Sequence, residues 1–123
     1  MNTLELFRNE SSVDGYSPGQ VIFKEGDAAD RMYVVKDGEV EVRIGDQVVG
    51  VMQAGDLLGE MALVDTSPRS ATAVARTECR LVPIDQRRFT FLVQQTPFFS
   101  LHVMRVLADR LRRSNQRNPS VAV

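Results

Sequence analysis

Between residues 16 and about 85, short runs rich in valine and isoleucine are cut by glycine at close intervals: Gly19, Gly26, Gly38, Gly45, Gly50, Gly55 and Gly59. That punctuation predicts short strands joined by tight turns. In "MYVVKDGEVEVRI" two alternating runs flank Asp37-Gly38, which predicts a hairpin there. Val40, Val42 and Ile44 then share one face of a strand, with Glu39, Glu41 and Arg43 on the other. Gly45-Asp46 in "RIGDQVVGVM" predicts a second tight turn, and later strands are expected near 71–75 and 80–85. Many short strands with frequent turns indicate a barrel or jelly roll. Ahead of them, residues 1–15 form a short mixed segment in which Leu4, Leu6 and Phe7 predict one helical turn docked on the body.

After residue 85 the period changes. "QRRFTFLVQQ" predicts a short helix, and Pro97 suits the first turn of a longer one running to about residue 115. On a helical wheel its polar stripe is narrow: His102, Arg105, Asp109, Arg112 and Arg113. Packing against a single neighbour needs an apolar stripe only somewhat over ~100° wide, and this one spans roughly 200°. The helix is therefore expected to touch its own barrel and something else. Leu101, Met104, Ala108 and Leu111 fall at heptad-like spacing, a short seam that would support at most a weak homodimer. Residues 86–115 are thus read as C-terminal helices and residues 116–123 as a flexible tail.

Composition narrows the class. The chain has 123 residues, 43% of them hydrophobic and 25% charged, which suits one ordinary soluble domain. A single cysteine, Cys79, rules out an internal disulfide and fits a reducing, cytoplasmic setting. No apolar run approaches the ~20 residues of a membrane-spanning helix. The net charge of −1 gives no global reason to bind nucleic acid. Five arginines crowd residues 105–117 against one acid, Asp109. They read as a solvated helix end, favoured by the helix dipole, or as contacts to an acidic partner or ligand.

Candidate chemistry concentrates in "GEMALVDTSPRSATA", residues 59–73. Glu60 and Arg69 stand there among small and apolar residues, and burying either unpaired is expensive. Gly59 permits close backbone approach, and residues 60–63 can form one helical turn whose free N–H groups face an anion. Arg69 adds a cationic fork that matches phosphate oxygens. A carboxylate beside a phosphate makes sense if the ligand also offers a hydroxyl donor, since an ionised carboxylate is a strong acceptor. The ligand so deduced has a singly charged phosphate, a ribose hydroxyl and an apolar ring system.

"GDLLGEMALVDTSPRSATAVA" resembles the phosphate-binding cassette of cyclic nucleotide-binding domains, and "VIFKEGDAADRMYVVKDGEVEV" resembles that family's first barrel half. The resemblance implies a mainly β fold with C-terminal helices: a double-stranded β-helix jelly-roll barrel of about eight strands over residues 16–85, with a short helix inside the cassette at 55–73. It implies a regulatory sensor with cAMP (favoured) or cGMP as ligand, no catalysis and no further cofactor. Glu60 would take the ribose 2′-OH and Arg69 the cyclic phosphate. Backbone N–H groups near Gly59, Glu60, Met61 and Ala62, and at Ser70 and Ala71, would complete the cradle. The Ser70 hydroxyl would reach phosphate or a guanine amino group. Val42, Val49 and Leu57 would line the base and sugar pocket. The last helix would be a mobile lid, with Ser114 and Asn115 placed to contact the purine. Only "QRNPSVAV" follows that helix, so the helix-turn-helix of the family's bacterial activators, and with it DNA binding, is not implied for this chain. The protein partner is not indicated.

Blander readings stand beside these. Arg69 would pair with Glu60 or a turn carbonyl, and Glu60 would cap a short helix. Met61 and Leu63 read first as core, although Met61 lies within the cassette. His102 reads as solvated and Cys79 as inert core. Arg110, at the border of the apolar sector, either snorkels or stacks on a purine. A metal-dependent enzyme on a similar barrel needs two or more histidines, and this chain has one, in a helix. The remaining alternative is a barrel of the same fold that lost its ligand and serves as a scaffold.

Overall fold

The computed structural model describes residues 2–117, and side chains as far as Arg113. In chain order the elements are α1 (Thr3–Leu6), β1 (Asp14–Tyr16), β2 (Val21–Phe23), β3 (Arg31–Asp37), β4 (Val40–Ile44), β5 (Gln47–Met52), β6 (Leu57–Leu58), α2 (Met61–Val64), β7 (Thr72–Ala75), β8 (Cys79–Asp85), α3 (Gln86–Gln95) and α4 (Pro97–Arg117). Among the described residues, the strands form two four-stranded sheets, β1-β8-β3-β6 and β2-β7-β4-β5. All the pairings are antiparallel. This is the expected jelly roll with C-terminal helices. The first strand opens at Asp14, ahead of the expected start at residue 16.

The first sheet is covered on both faces. Tyr33, Val35, Leu58, Cys79 and Leu81 face Val40, Ala73 and Ala75 of the second sheet. Met32, Val34, Val82 and Ile84 face Phe7, Phe89, Leu92, Phe99 and Val103 of the helical layer. Strand alternation thus sends successive side chains of β3 into two different cores, which is why its run from Met32 to Val35 is buried throughout. Cys79 sits inside the inter-sheet core, where burial raises its thiol pKa and makes it a poor nucleophile.

The hairpin expected at Asp37-Gly38 does not form. β3 pairs with β8 and β6, and β4 pairs with β5 and β7, so this turn carries the chain from one sheet to the other. Gly38 is at φ 87°, and a Cβ there would lie 2.3 Å from the Glu78 carbonyl oxygen and 2.6 Å from the Cys79 Cβ. The glycine is needed for close passage against β8 at a corner. β3 pairs with β8 along its length from Arg31 to Asp37, and that long ladder overrides the local turn signal. The second hairpin forms as expected, with Ile44 opposite Gln47 across Gly45-Asp46.

Asp85 caps α3 by accepting the Arg88 N–H at 2.9 Å. Phe99 is fully buried between Phe7 and Phe89, each ring meeting it edge-on at 6.4 and 6.3 Å between centroids. Burying a side chain of that size contributes about 1.5–3 kcal/mol, so Phe99 and the buried Val103 fix the N-terminal half of α4 to the body. The opposite edge of the apolar sector is open: Leu101, Met104 and Leu111 are 48%, 58% and 59% exposed. α4 continues to Arg117, past the expected end, and the rest of the expected tail lies outside the described residues. No helix among the described residues is long and apolar enough to cross a membrane.

His102 departs from its expected solvated position. α1 docks against α4, and Thr3 Oγ1 lies 2.6 Å from His102 Nδ1. Thr3 itself is buried, and burial lowers the histidine's pKa. A wheel drawn for α4 alone has no information about α1, which supplies both the partner and the cover.

Candidate functional site

The cassette lies where β6 meets α2 and where the following loop returns to β7. It opens onto a cavity of about 760 Å3. Gly59, at φ 71°, turns the chain out of β6. Ala62 N–H closes the first turn of α2 on the Gly59 carbonyl at 3.2 Å, so this amide is already engaged. α2 begins at Met61, which leaves Glu60 at its N-cap, but the Glu60 side chain makes no capping bond. The capping reading of Glu60 is therefore excluded.

Arg69 is anchored by its backbone to the loop after β2. Its N–H donates to the Asp27 carbonyl at 2.9 Å, and its carbonyl accepts the Gly26 N–H at 2.8 Å. Its guanidinium passes between the Gly59 backbone and the ring of Phe23, with Cζ 4.1 Å from the ring centroid. A Cβ on Gly59 would come within 2.2 Å of the Arg69 Nη1, so a side chain there would push the guanidinium out of this position, and the positive φ of 71° also favours glycine. Nη1 donates one long bond, 3.4 Å, to the Gly59 carbonyl. Arg69 is 7% exposed and makes no ion pair among the described residues. Burial lowers its pKa, opposed in part by Tyr33 and Asp30. A buried arginine with most of its donors unspent is a strong anion receptor.

Glu60 is fully buried, and its partner is Arg110 rather than Arg69. Arg110 Nε stands 2.8 Å from Glu60 Oε1, while Arg110 Nη1 donates to the Met61 sulfur at 3.3 Å. The charges are paired, but the N–H is not aligned for a hydrogen bond. Both carboxylate oxygens therefore lack a hydrogen-bond partner among the described residues. Glu60 is not among the residues that line the cavity, whereas its partner Arg110 is, so the cavity meets the carboxylate's counter-charge and not the carboxylate itself.

Of the residues marked in the sequence, Gly59, Met61, Ala62, Arg69, Ser70, Ala71, Val42, Val49, Leu57 and Arg110 all line the cavity. Met61 is thus a wall residue rather than core, while Leu63 is buried in the core as read. The side chains of Ser114 and Asn115 lie outside the described residues. Arg110 neither snorkels nor waits free for a purine, because Glu60 holds it. Two of the clustered arginines, Arg110 and Arg113, turn with Val106 and Asp109 toward the cavity, at the spacing of one helix face. Sequence reasoning missed Phe23, which stands in an unremarkable apolar run, "VIF", and carries no spacing signal. It also missed that Ile44 and Met52 line the wall. The alternation of β4 did point Val42 and Ile44 to one side.

Comparison with known proteins agrees with this geometry. The family model of the cyclic nucleotide-binding domain matches residues 14–96. The CRP-like cAMP-activated global transcriptional regulator of Mycobacterium tuberculosis is 34% identical over 102 residues, covering 79% of this chain and 46% of that protein. The cGMP-dependent protein kinase of Toxoplasma gondii is 45% identical over 70 residues, covering 57% of this chain and 7% of the kinase. The crystal structure of Thermus thermophilus catabolite activator protein superposes with a TM-score of 0.76 at 30% identity, over 85% of this chain and 52% of that one. The chain therefore spans about half or less of the length of these curated relatives. The match extends from β1 through α3 and includes the whole cassette, and this chain belongs to the cyclic nucleotide-binding domain family.

Proposed function

We propose that the domain is a cytoplasmic sensor that binds a cyclic nucleotide, cAMP in preference to cGMP, catalyses nothing, and passes the binding event to α4. The observation that carries this reading is a pair of unspent buried groups on either side of Gly59. Among the described residues, Arg69 has unspent donors and no ion pair, and Glu60 has no hydrogen-bond partner although Arg110 balances its charge. A cyclic phosphate answers the first and a ribose 2′-OH the second. Val42, Val49 and Leu57 supply an apolar wall for sugar and base, and Ser70 and Ala71 flank the phosphate position. The preference for cAMP follows the mycobacterial regulator, which aligns with more of this chain than the Toxoplasma kinase does.

Coupling to α4 follows from Arg110. A ligand hydroxyl on Glu60 competes with, or realigns, the charge pair that ties α4 to the cassette. The exposed seam of Leu101, Met104 and Leu111 on the same helix is the surface through which a second copy or a partner protein would receive the change.

Thermal unfolding with added nucleotide tests the reading. At 100-fold excess over Kd, a ligand adds about 2.7 kcal/mol of stability. For a domain of this size that raises Tm by roughly 8–15 °C. A larger shift with cAMP than with cGMP at equal concentration is expected. No shift with millimolar amounts of either would leave a scaffold that keeps the fold without the ligand.

A further inference from the structure

Resting on the reading that Arg69 receives the ligand's phosphate, we infer that Phe23 is the positioning residue of the site: its ring holds the Arg69 guanidinium flat against Gly59, so that the fork is set before any ligand arrives. The side chain has few other restraints. Among the described residues its one side-chain hydrogen bond is 3.4 Å long, and no carboxylate pairs with it. What confines it is a slot. On one side the Gly59 backbone lies so near that a Cβ would reach 2.2 Å from Nη1. On the other, the Phe23 ring lies 4.1 Å from Cζ.

The ring is itself fixed. It stacks on Tyr33 of the opposite sheet at 6.3 Å between centroids and 21° between planes. Phe23 also sits opposite Ala73 in the β2–β7 pair, two residues after the cassette's Ser70-Ala71. The loop that leaves β2 holds the Arg69 backbone through Gly26 and Asp27. One short segment, residues 23–27, thus fixes both ends of the arginine.

The chemistry follows from the kind of support. A carboxylate partner would hold the guanidinium equally well, but it would occupy some of the in-plane N–H donors and offset the positive charge that attracts a phosphate. An aromatic face attracts the cation from the side and leaves its in-plane N–H donors free for an anion. Orientation set in advance lowers the ordering cost at binding. The aromatic face of Phe23, and not its volume, is what matters.

Three chains test this: wild type, Phe23→Leu, which keeps apolar bulk, and Phe23→Tyr, which keeps the face. The first readout needs no ligand. In wild type and Phe23→Tyr, the Arg69 Nε–H proton resonance is shifted upfield by the ring current, and in Phe23→Leu that shift is lost. The second readout is cAMP affinity by calorimetry. Phe23→Leu weakens it about 5- to 30-fold, Phe23→Tyr stays near wild type, and Phe23→Leu adds no further loss in an Arg69→Ala background. An Arg69 resonance without the shift in wild type overturns the inference. So does an affinity in Phe23→Leu within twofold of wild type, or an equal loss with Arg69 absent, which marks Phe23 as mere wall. If wild type binds no cyclic nucleotide, the functional reading fails, and the ligand-free resonance still decides whether Phe23 positions Arg69.

Discussion

Removing Arg110 strands the buried Glu60 carboxylate. Glu60 is fully buried, and its charge is balanced by Arg110 at 2.8 Å. Breaking a buried pair by deleting one partner costs about 3–5 kcal/mol, because the remaining charge is stranded. The Arg110 side chain is 39% exposed, so water already screens part of the pair. Arg110→Met is therefore expected at or below the low end, about 2–3 kcal/mol. For a chain of this length that lowers Tm by roughly 6–15 °C. Glu60→Gln removes the buried charge and leaves Arg110 free to reach solvent, so it costs about 1 kcal/mol or less. Arg110→Met added to Glu60→Gln then costs little more, and the double-mutant cycle yields a coupling of about 2 kcal/mol. Ligand-free urea unfolding of the four chains gives these numbers directly. Arg110→Met within about 0.5 kcal/mol of wild type, or an additive double variant, would show that solvent satisfies Glu60 without the helix.

Three further outcomes follow from the same geometry. Arg69→Ala is expected to weaken cyclic nucleotide binding roughly 30- to 3000-fold in calorimetry. Glu60→Ala costs about 10-fold, the low end for a charged hydrogen bond, because the ligand must also displace Arg110; near-native binding by Arg69→Ala would remove the phosphate assignment. The depressed pKa of His102 means that its neutral form is favoured in the folded chain. Its contribution is thus fully present above about pH 6.5, the unfolded value, and is lost as pH falls through the lower folded value. Asp56 and Glu60 favour the charged ring and Arg105 opposes it, and His102→Gln should flatten the Tm profile in that acid range. Met104→Glu, in the exposed seam, should abolish any concentration-dependent association in sedimentation without changing Tm, and unchanged association would place the contact elsewhere.

The cassette was legible because its chemistry is local. Gly59, Glu60, Arg69 and the small residues around them lie within fifteen positions, so the sequence shows the charges and the room for them together. β4, β5, β7 and β8 were legible because alternation and glycine turns report one face at a time, whereas the two-residue β6 is too short to show a pattern. What could not be read is what depends on a distant neighbour. The turn at Gly38 looks like a hairpin until β8 claims β3 as its partner. His102 looks solvated until α1 folds over it. Glu60 looks like a partner for Arg69 at nine residues' distance, yet its partner comes fifty residues later, from α4. Phe23 has no polar atom and no spacing pattern, and its importance appears only when the Arg69 side chain is placed on its face.

The proposed coupling has a ceiling that the same geometry sets. A ligand shifts α4 only by the difference in its contacts between the two positions of the helix. Inverting a two-state equilibrium from 1:99 to 99:1 takes about 5.5 kcal/mol. The coupling between Glu60 and Arg110 is about 2 kcal/mol. It biases the helix by a factor of roughly 30 but does not invert it alone. The remainder must come from the other cavity-facing positions of α4, which include Asp109 and Arg113. Phe99 and Val103 are buried in the helical core and Val106 and Leu107 pack against it, so the helix is expected to stay docked through residue 107 while the part beyond moves. Amide exchange with and without cAMP should therefore change along 108–117 and stay flat along 98–107. Arg110→Met should shrink that change, and Arg110→Met with Arg113→Ala should remove most of it. A uniform change over the whole helix would mean that α4 moves as one rod and that the Phe99 anchor yields. A response untouched by Arg110→Met would mean that the ligand signals through the cassette without Arg110.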